Sequence, residues 1–308
     1  MNKILLLLSV FIIIISCSLN KNSKFWTSSK DIKDIDALGK KIFLQESAIS
    51  KELNSGVKIN LSSNVSKVNY YHNNLGRINF DKDLKKSSRF KFSKIKNFHQ
   101  FEPTISTYNN NIIFFDNKGS ILQFNNKSNL VWKKNYYTKS EKKLDPILQF
   151  ANNNQFLIVA DNLTKFYKLN LDTGDIIWSK KNSAPFNSQI KIYKDRFFVI
   201  DFTNTLRCFS LKNGKELWNF QTETPLIRSQ KKLSMVIVEE VIYFNNSLGD
   251  ISAIDLNNGR LIWQLPTQSN VIFESAFSLE TSDIIADENN IFFSNNKNQF
   301  FSIDIKSG

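Results

Sequence analysis

Residues 249–263 read GDISAIDLNNGRLIW. Side chains in a strand alternate, so Ile251, Ala253 and Asp255 fall on one side of an extended segment and Ser252, Ile254 and Leu256 on the other. Asn257-Asn258-Gly259 then supplies residues that tolerate positive φ, which a short hairpin requires. Leu261 and Trp263 return on one face. The stretch predicts strand, tight turn, strand.

The same unit recurs along the chain. TKFYKLNLDTGDIIW at 164–178 and NTLRCFSLKNGKELW at 204–218 keep its offsets. GSILQFNNKSNLVW at 119–132 is one residue shorter, and NQFFSIDIKSG at 298–308 ends at the turn glycine. An apolar run precedes each copy: IIFF at 112–115, FLIV at 156–159, FFVI at 197–200, VIYF at 241–244 and IFF at 291–293. Polar stretches such as DNKG and DNLT follow these runs and read as a second hairpin turn. A weaker strand stands upstream again, at 147–150, 189–192, 233–236 and 283–286. Trp132, Trp178, Trp218 and Trp263 lie 46, 40 and 45 residues apart. A period of about 40–45 residues holding four short strands is the mark of a β-propeller blade. The expected fold is therefore all-β, built of four-stranded antiparallel blades of the PQQ or WD40 kind.

The blades fall at about 101–137, 145–181, 188–220, 229–265 and 282–308, with a first blade or a contributed strand starting near 65. Residues 65–308 thus hold about five and a half periods. The last copy stops before the Trp that its repeat calls for, which predicts a C-terminally truncated chain whose complete form has eight blades. One Trp per blade, at a fixed place in the outer strand, reads as a wedge between neighbouring blades. The many Asp and Asn residues fall in turns, where local backbone hydrogen bonds account for them.

Upstream of the repeats, residues 1–17 (MNKILLLLSVFIIIISC) combine a basic start at Lys3 with an apolar stretch too short for a comfortable membrane span. Ile14-Ile15-Ser16-Cys17 is close to a bacterial lipoprotein cleavage pattern, so residues 1–17 are expected to be a lipoprotein signal peptide and Cys17 the acylated residue. An ordinary signal segment with an incidental cysteine is the plainer alternative. Residues 18–64 are expected to form a tether and leader.

Composition narrows the chemistry. The net charge is +13, but the lysines are scattered among abundant Asn, Ile and Phe and no nucleic-acid motif accompanies them. Nucleic acid is not an expected partner. A basic surface could still favour anionic lipid. Cys208 lies in a repeat strand and reads as a buried apolar residue rather than a reactive thiol. His72 and His99 stand apart and suggest no metal site. No GxSxG, HExxH, P-loop or CxxCH motif occurs in the chain. No catalytic residue, cofactor or metal is therefore assigned, and the chain is not expected to be an enzyme.

The pattern (G/N)-x-(L/I/F)-x-x-(L/I/F)-(D/N/S)-x-x-(T/N)-G-x-x-x-W resembles the repeat of PQQ-type β-propellers, and among those the BamB family of outer-membrane β-barrel assembly lipoproteins. LGKKIFLQ and VKINLSS, within 38–63, resemble the family's leader, while NYYHNNLG at 69–76 has Tyr70 where a Trp is usual. The resemblance implies a lipid-anchored scaffold on the periplasmic face of the outer membrane. Its implied partners are BamA, through a POTRA domain, and other components of the BAM complex. The family's contact loop carries Leu-rich sequence and then Arg soon after a repeat Trp, and here Leu226-Ile227-Arg228 follows Trp218. The acidic contact one blade on falls nearest to Glu280 and Asp283. The bland alternatives are that Leu226 and Ile227 enter the next blade's inner strand and that Arg228 is an ordinary surface charge. PQQ-dependent dehydrogenases share the repeat framework and are the enzyme rival, though the chain lacks their adjacent cysteine pair. A propeller that binds a glycan or other ligand is a third reading.

Overall fold

The computed structural model describes residues 104–223, 232–266, 282–295 and 299–308. These residues form successive antiparallel sheets in simple up-and-down order. The first sheet holds β1 (Ser106–Tyr108), β2 (Asn111–Phe115), β3 (Ser120–Phe124) and β4 (Leu130–Asn135). The second holds β5 (Leu148–Asn152), β6 (Phe156–Asp161), β7 (Lys165–Asn170) and β8 (Ile176–Lys181). The third runs from β9 (Lys191–Tyr193) through β10 (Arg196–Ile200) and β11 (Thr205–Ser210) to β12 (Glu216–Gln221). The fourth runs from β13 (Met235–Val238) through β14 (Val241–Asn245) and β15 (Ile251–Asp255) to β16 (Leu261–Leu265). In the fifth, β17 (Ile285–Ala286), β18 (Asn290–Ser294) and β19 (Phe300–Asp304) form a three-stranded sheet. The architecture is the β-propeller blade series that the repeats predict, and the first strand of each sheet lies nearest the first strand of the next.

The core sits between sheets. In β6 every residue is buried. Leu157 and Val159 face the first blade and meet Ile113, Phe115 and Ile121, while Phe156 and Ile158 face the third and meet Phe197, Val199 and Phe209. A strand covered on both faces reads as a continuous apolar run, and this explains FLIV, FFVI and VIYF. Cys208 belongs to the core between the third and fourth blades. Burial pushes its thiol up to about 12, which makes it inert at neutral pH, as its strand position predicts.

The tryptophans hold the blades together. Trp132 Nε1 donates to the Leu171 carbonyl of the next blade at 3.0 Å, Trp178 Nε1 to Leu211 at 3.2 Å and Trp263 Nε1 to Ile305 at 3.3 Å. Each indole also lies on the turn glycine of the following blade. A methyl group added to Gly174 would stand 2.8 Å from Trp132, and one on Gly259 2.6 Å from Trp218. Both glycines have positive φ, +73° and +74°, so the turn and the close approach demand the same residue. A register shift recurs before each turn, at Gln123/Phe124, Lys168/Leu169, Cys208/Phe209 and Ala253/Ile254, and this bulge sets Trp at one place in every outer strand.

Turn carboxylates and amides serve the backbone as expected. Asp116, Asp161 and Asp201 each accept two backbone N–H groups from the turn between the second and third strands, and Asn246 does the same in the fourth blade. The first strands differ from expectation by starting later. Asn187 and Gln189 bond outside their own sheet: Gln189 N donates to Leu233 O at 2.9 Å, and Leu233 N to Asn187 O at 2.8 Å. These bonds make a parallel bridge between the third and fourth blades.

Candidate functional site

Of the proposed contact residues, the structure places Asp283. Leu226, Ile227, Arg228 and Glu280 lie outside the described residues, as does Cys17. Asp283 is exposed just ahead of β17, and its Oδ2 accepts a hydrogen bond from Gln189 Nε2 at 2.9 Å. This contact spans 94 residues and links the fifth blade to the third. Around it, Ile284 N donates to Ser234 Oγ at 3.0 Å, Ser234 N to Asn245 Oδ1 at 2.7 Å, and Ile200 N to Ser188 Oγ at 2.7 Å. The cluster joins the ends of the first strands of three blades.

The cluster has a repeat logic that sequence reading misses. Gln149 pairs with Ala160, the residue before an Asx turn, and continuing the registers of the later sheets outward by one or two residues brings Gln189, Ser234 and Asp283 to the equivalent position. Extending the first sheet's register by two residues adds Thr104, whose Oγ1 donates to Gln149 Oε1 at 3.1 Å. Five polar side chains thus occupy one layer of the first strands. The signal was present in the sequence as a polar residue within each weak upstream strand, but such a residue also looks like the end of a turn.

Lys191, two residues beyond Gln189, is buried. Burial pulls its amine down to about 7; Lys232 pulls the same way and Asp283 opposes them. The unfolded chain holds this proton up to the ordinary lysine range, whereas the folded chain releases it above about 7. Stability contributed here therefore rises with pH between about 7 and 10.5 and is lost as pH falls toward 7. Lys191→Met removes that cost. The variant is expected to melt roughly 2–4 °C above the wild type at pH 7, with the gap closing by pH 10. Calorimetry across that range checks this, and a gap that does not change with pH would count against it.

The layer's chemistry is amide, hydroxyl and single-carboxylate hydrogen bonding. Among the described residues no group of three or more His, Cys, Asp or Glu is arranged to hold a metal ion. Such a site can position loops and bind a polar surface.

The repeated blades, their Trp–Gly wedges and their Asx turns define a PQQ-type repeat β-propeller. The sequence model for the family described as "Outer membrane protein assembly factor BamB" matches residues 117–308, more than half of the chain, and the protein belongs to that family. Among solved structures, BamB from Moraxella catarrhalis is 12% identical with a TM-score of 0.47, covering 66% of this chain and 63% of its own. The computationally designed Ika8 protein is 11% identical with a TM-score of 0.53, covering 67% of this chain and 59% of its own. At that identity the likeness to Ika8 concerns the fold alone. The chain spans less than two thirds of either structure. No curated protein matches the sequence.

Proposed function

We propose that this protein is a non-enzymatic scaffold in the assembly of outer-membrane β-barrel proteins. Its family membership over residues 117–308 is the observation that carries the reading. In this reading it binds BamA through a POTRA domain, beside other components of the BAM complex. It is anchored to the outer membrane by acyl chains on Cys17 and faces the periplasm. Residues 1–17 are the signal peptide, 18–64 the tether and 65 onward the propeller. Mass spectrometry of the mature N-terminus should find an acylated Cys17, and an unmodified thiol there would remove the anchor.

The contact surface is assigned to Leu226, Ile227 and Arg228 with Glu280 and Asp283. Two aliphatic anchors and an arginine match the composition of interface hot spots. The Gln189–Asp283 bond supports the assignment, because it ties the base of one proposed loop to the blade that precedes the other. Arg228→Glu is expected to reduce co-purification of BamA about tenfold or more, while the circular dichroism of the blades stays unchanged. Undiminished recovery of BamA with the variant would move the contact elsewhere.

A further inference from the structure

We propose that the edge of the second blade, with the loop that leads into it, is a docking face for an anionic phospholipid bilayer. The loop between β4 and β5 contains a 3-10 turn, Glu141–Leu144. Glu141 pins that turn to the blade. Its carboxylate lies 2.7 Å from Lys165 Nζ and accepts the Thr138 N–H at 2.8 Å. Those bonds, the one to Lys165 first, hold Glu141 down at about 2, so it is ionised throughout the physiological range. Lys165 in turn stands directly opposite Lys181 on β8, so Lys181 and the turn are neighbours.

This arrangement gathers cations. Lys139 and Lys143 are exposed on the loop and Lys142 is partly so; at the end of β8 exposed Lys181 stands on the Lys165 side, while exposed Lys180, paired with Phe166, stands on the other face of the strand. Among the described residues none of the five has an ion-pair partner, and Glu141 is engaged by Lys165. Asp145, at the end of the turn, is the loop's other carboxylate. Exposed aliphatic side chains lie on the same loop and strand. Leu144 is 61% exposed and Ile177 53% exposed, and Ile177 stands two and four residues before Ser179 and Lys181.

The composition selects the occupant. Exposed aliphatic tips on elements that also carry flexible lysines suit a bilayer boundary, where the tips enter the acyl region and the amines reach the headgroups. An anionic surface attracts each nearby lysine. Protein interfaces exclude lysine from their centres and favour Tyr, Trp and Arg there. Single-stranded nucleic acid needs exposed aromatic platforms, and Tyr137 on this loop is buried. The proposal does not depend on the assembly role. It fixes which edge of the propeller lies against the membrane.

The test is amine labelling read by mass spectrometry, with the full chain held on phosphatidylcholine vesicles that do or do not contain phosphatidylglycerol. Labelling of Lys143 and Lys181 is expected to slow about fivefold or more on the anionic vesicles, while exposed Lys215 on the third blade is unaffected. Lys180→Glu with Lys181→Glu should abolish the slowing at Lys143. Equal labelling on both vesicle types, equal slowing at Lys215, or slowing that survives the charge reversal would overturn the proposal. Protection that appears only when membrane proteins are present would assign the face to a protein instead.

Discussion

Trp132→Ala is expected to cost about 3–5 kcal/mol of unfolding free energy, the range for removing a large buried aromatic residue. Trp132 is 8% exposed, packs between the first and second blades and donates to Leu171 O. The change leaves a cavity at the blade junction and an unpaired carbonyl in the neighbouring turn. The same substitution at Trp218 should cost less, because Trp218 Nε1 makes no hydrogen bond. At that junction Arg196 Nη1 instead reaches Leu256 O at 3.3 Å and Asn257 O at 3.2 Å. The wedge account also predicts coupling. Gly174→Ala in the wild type drives a methyl group into Trp132, but in the Trp132→Ala background it meets only the flexible Lys134 stem besides carrying the penalty of positive φ. Urea unfolding of the four variants measures this. Additive losses would show that indole and glycine do not act as a pair.

Asp201→Ala is expected to cost a similar amount, about 3–5 kcal/mol, through a different mechanism. Asp201 is fully buried, and its Oδ2 lies 2.7 Å from Arg207 Nε. Its Oδ1 accepts the Thr203 N–H at 2.9 Å and the Thr205 N–H at 3.3 Å. Alanine removes the buried partner of a guanidinium whose side chain is only 13% exposed and opens the turn together. Arg207 keeps Glu216 at 2.7 Å, but that carboxylate is more exposed and compensates only in part. Asp116 is the matched control. It makes the same turn in the first blade, but its cation, Lys133, is 3.4 Å away and 47% exposed. Asp116→Ala should cost about 1–2 kcal/mol, mostly the turn bonds. Equal losses at the two sites would mean that the buried ion pair contributes nothing beyond the turn.

These two cases also mark what the sequence made legible. The Trp wedge and the turn glycine were each readable because they recur at a fixed offset within each period, while their contact across the blade junction came from the structure. The Asx turns were readable because their bonds close within four residues. The layer of Thr104, Gln149, Gln189, Ser234 and Asp283 was not. Its bonds join strands 45 and 94 residues apart, and no local pattern records which polar residue meets which. Arg196 was hidden for the same reason: it takes over a carbonyl that the repeat assigns to Trp218, and it does so across 60 residues. Local periodicity fixed the blades, while the contacts that distinguish one blade junction from another depend on single long-range substitutions in the repeat.

Affinity capture of the lipidated full chain from detergent-solubilised envelopes tests the scaffold account most directly. The account predicts recovery of a β-barrel outer-membrane protein bearing POTRA domains, in a quantity that falls with Arg228→Glu. Recovery of no such protein, with a quinone cofactor or a glycan retained in its place, would contradict it.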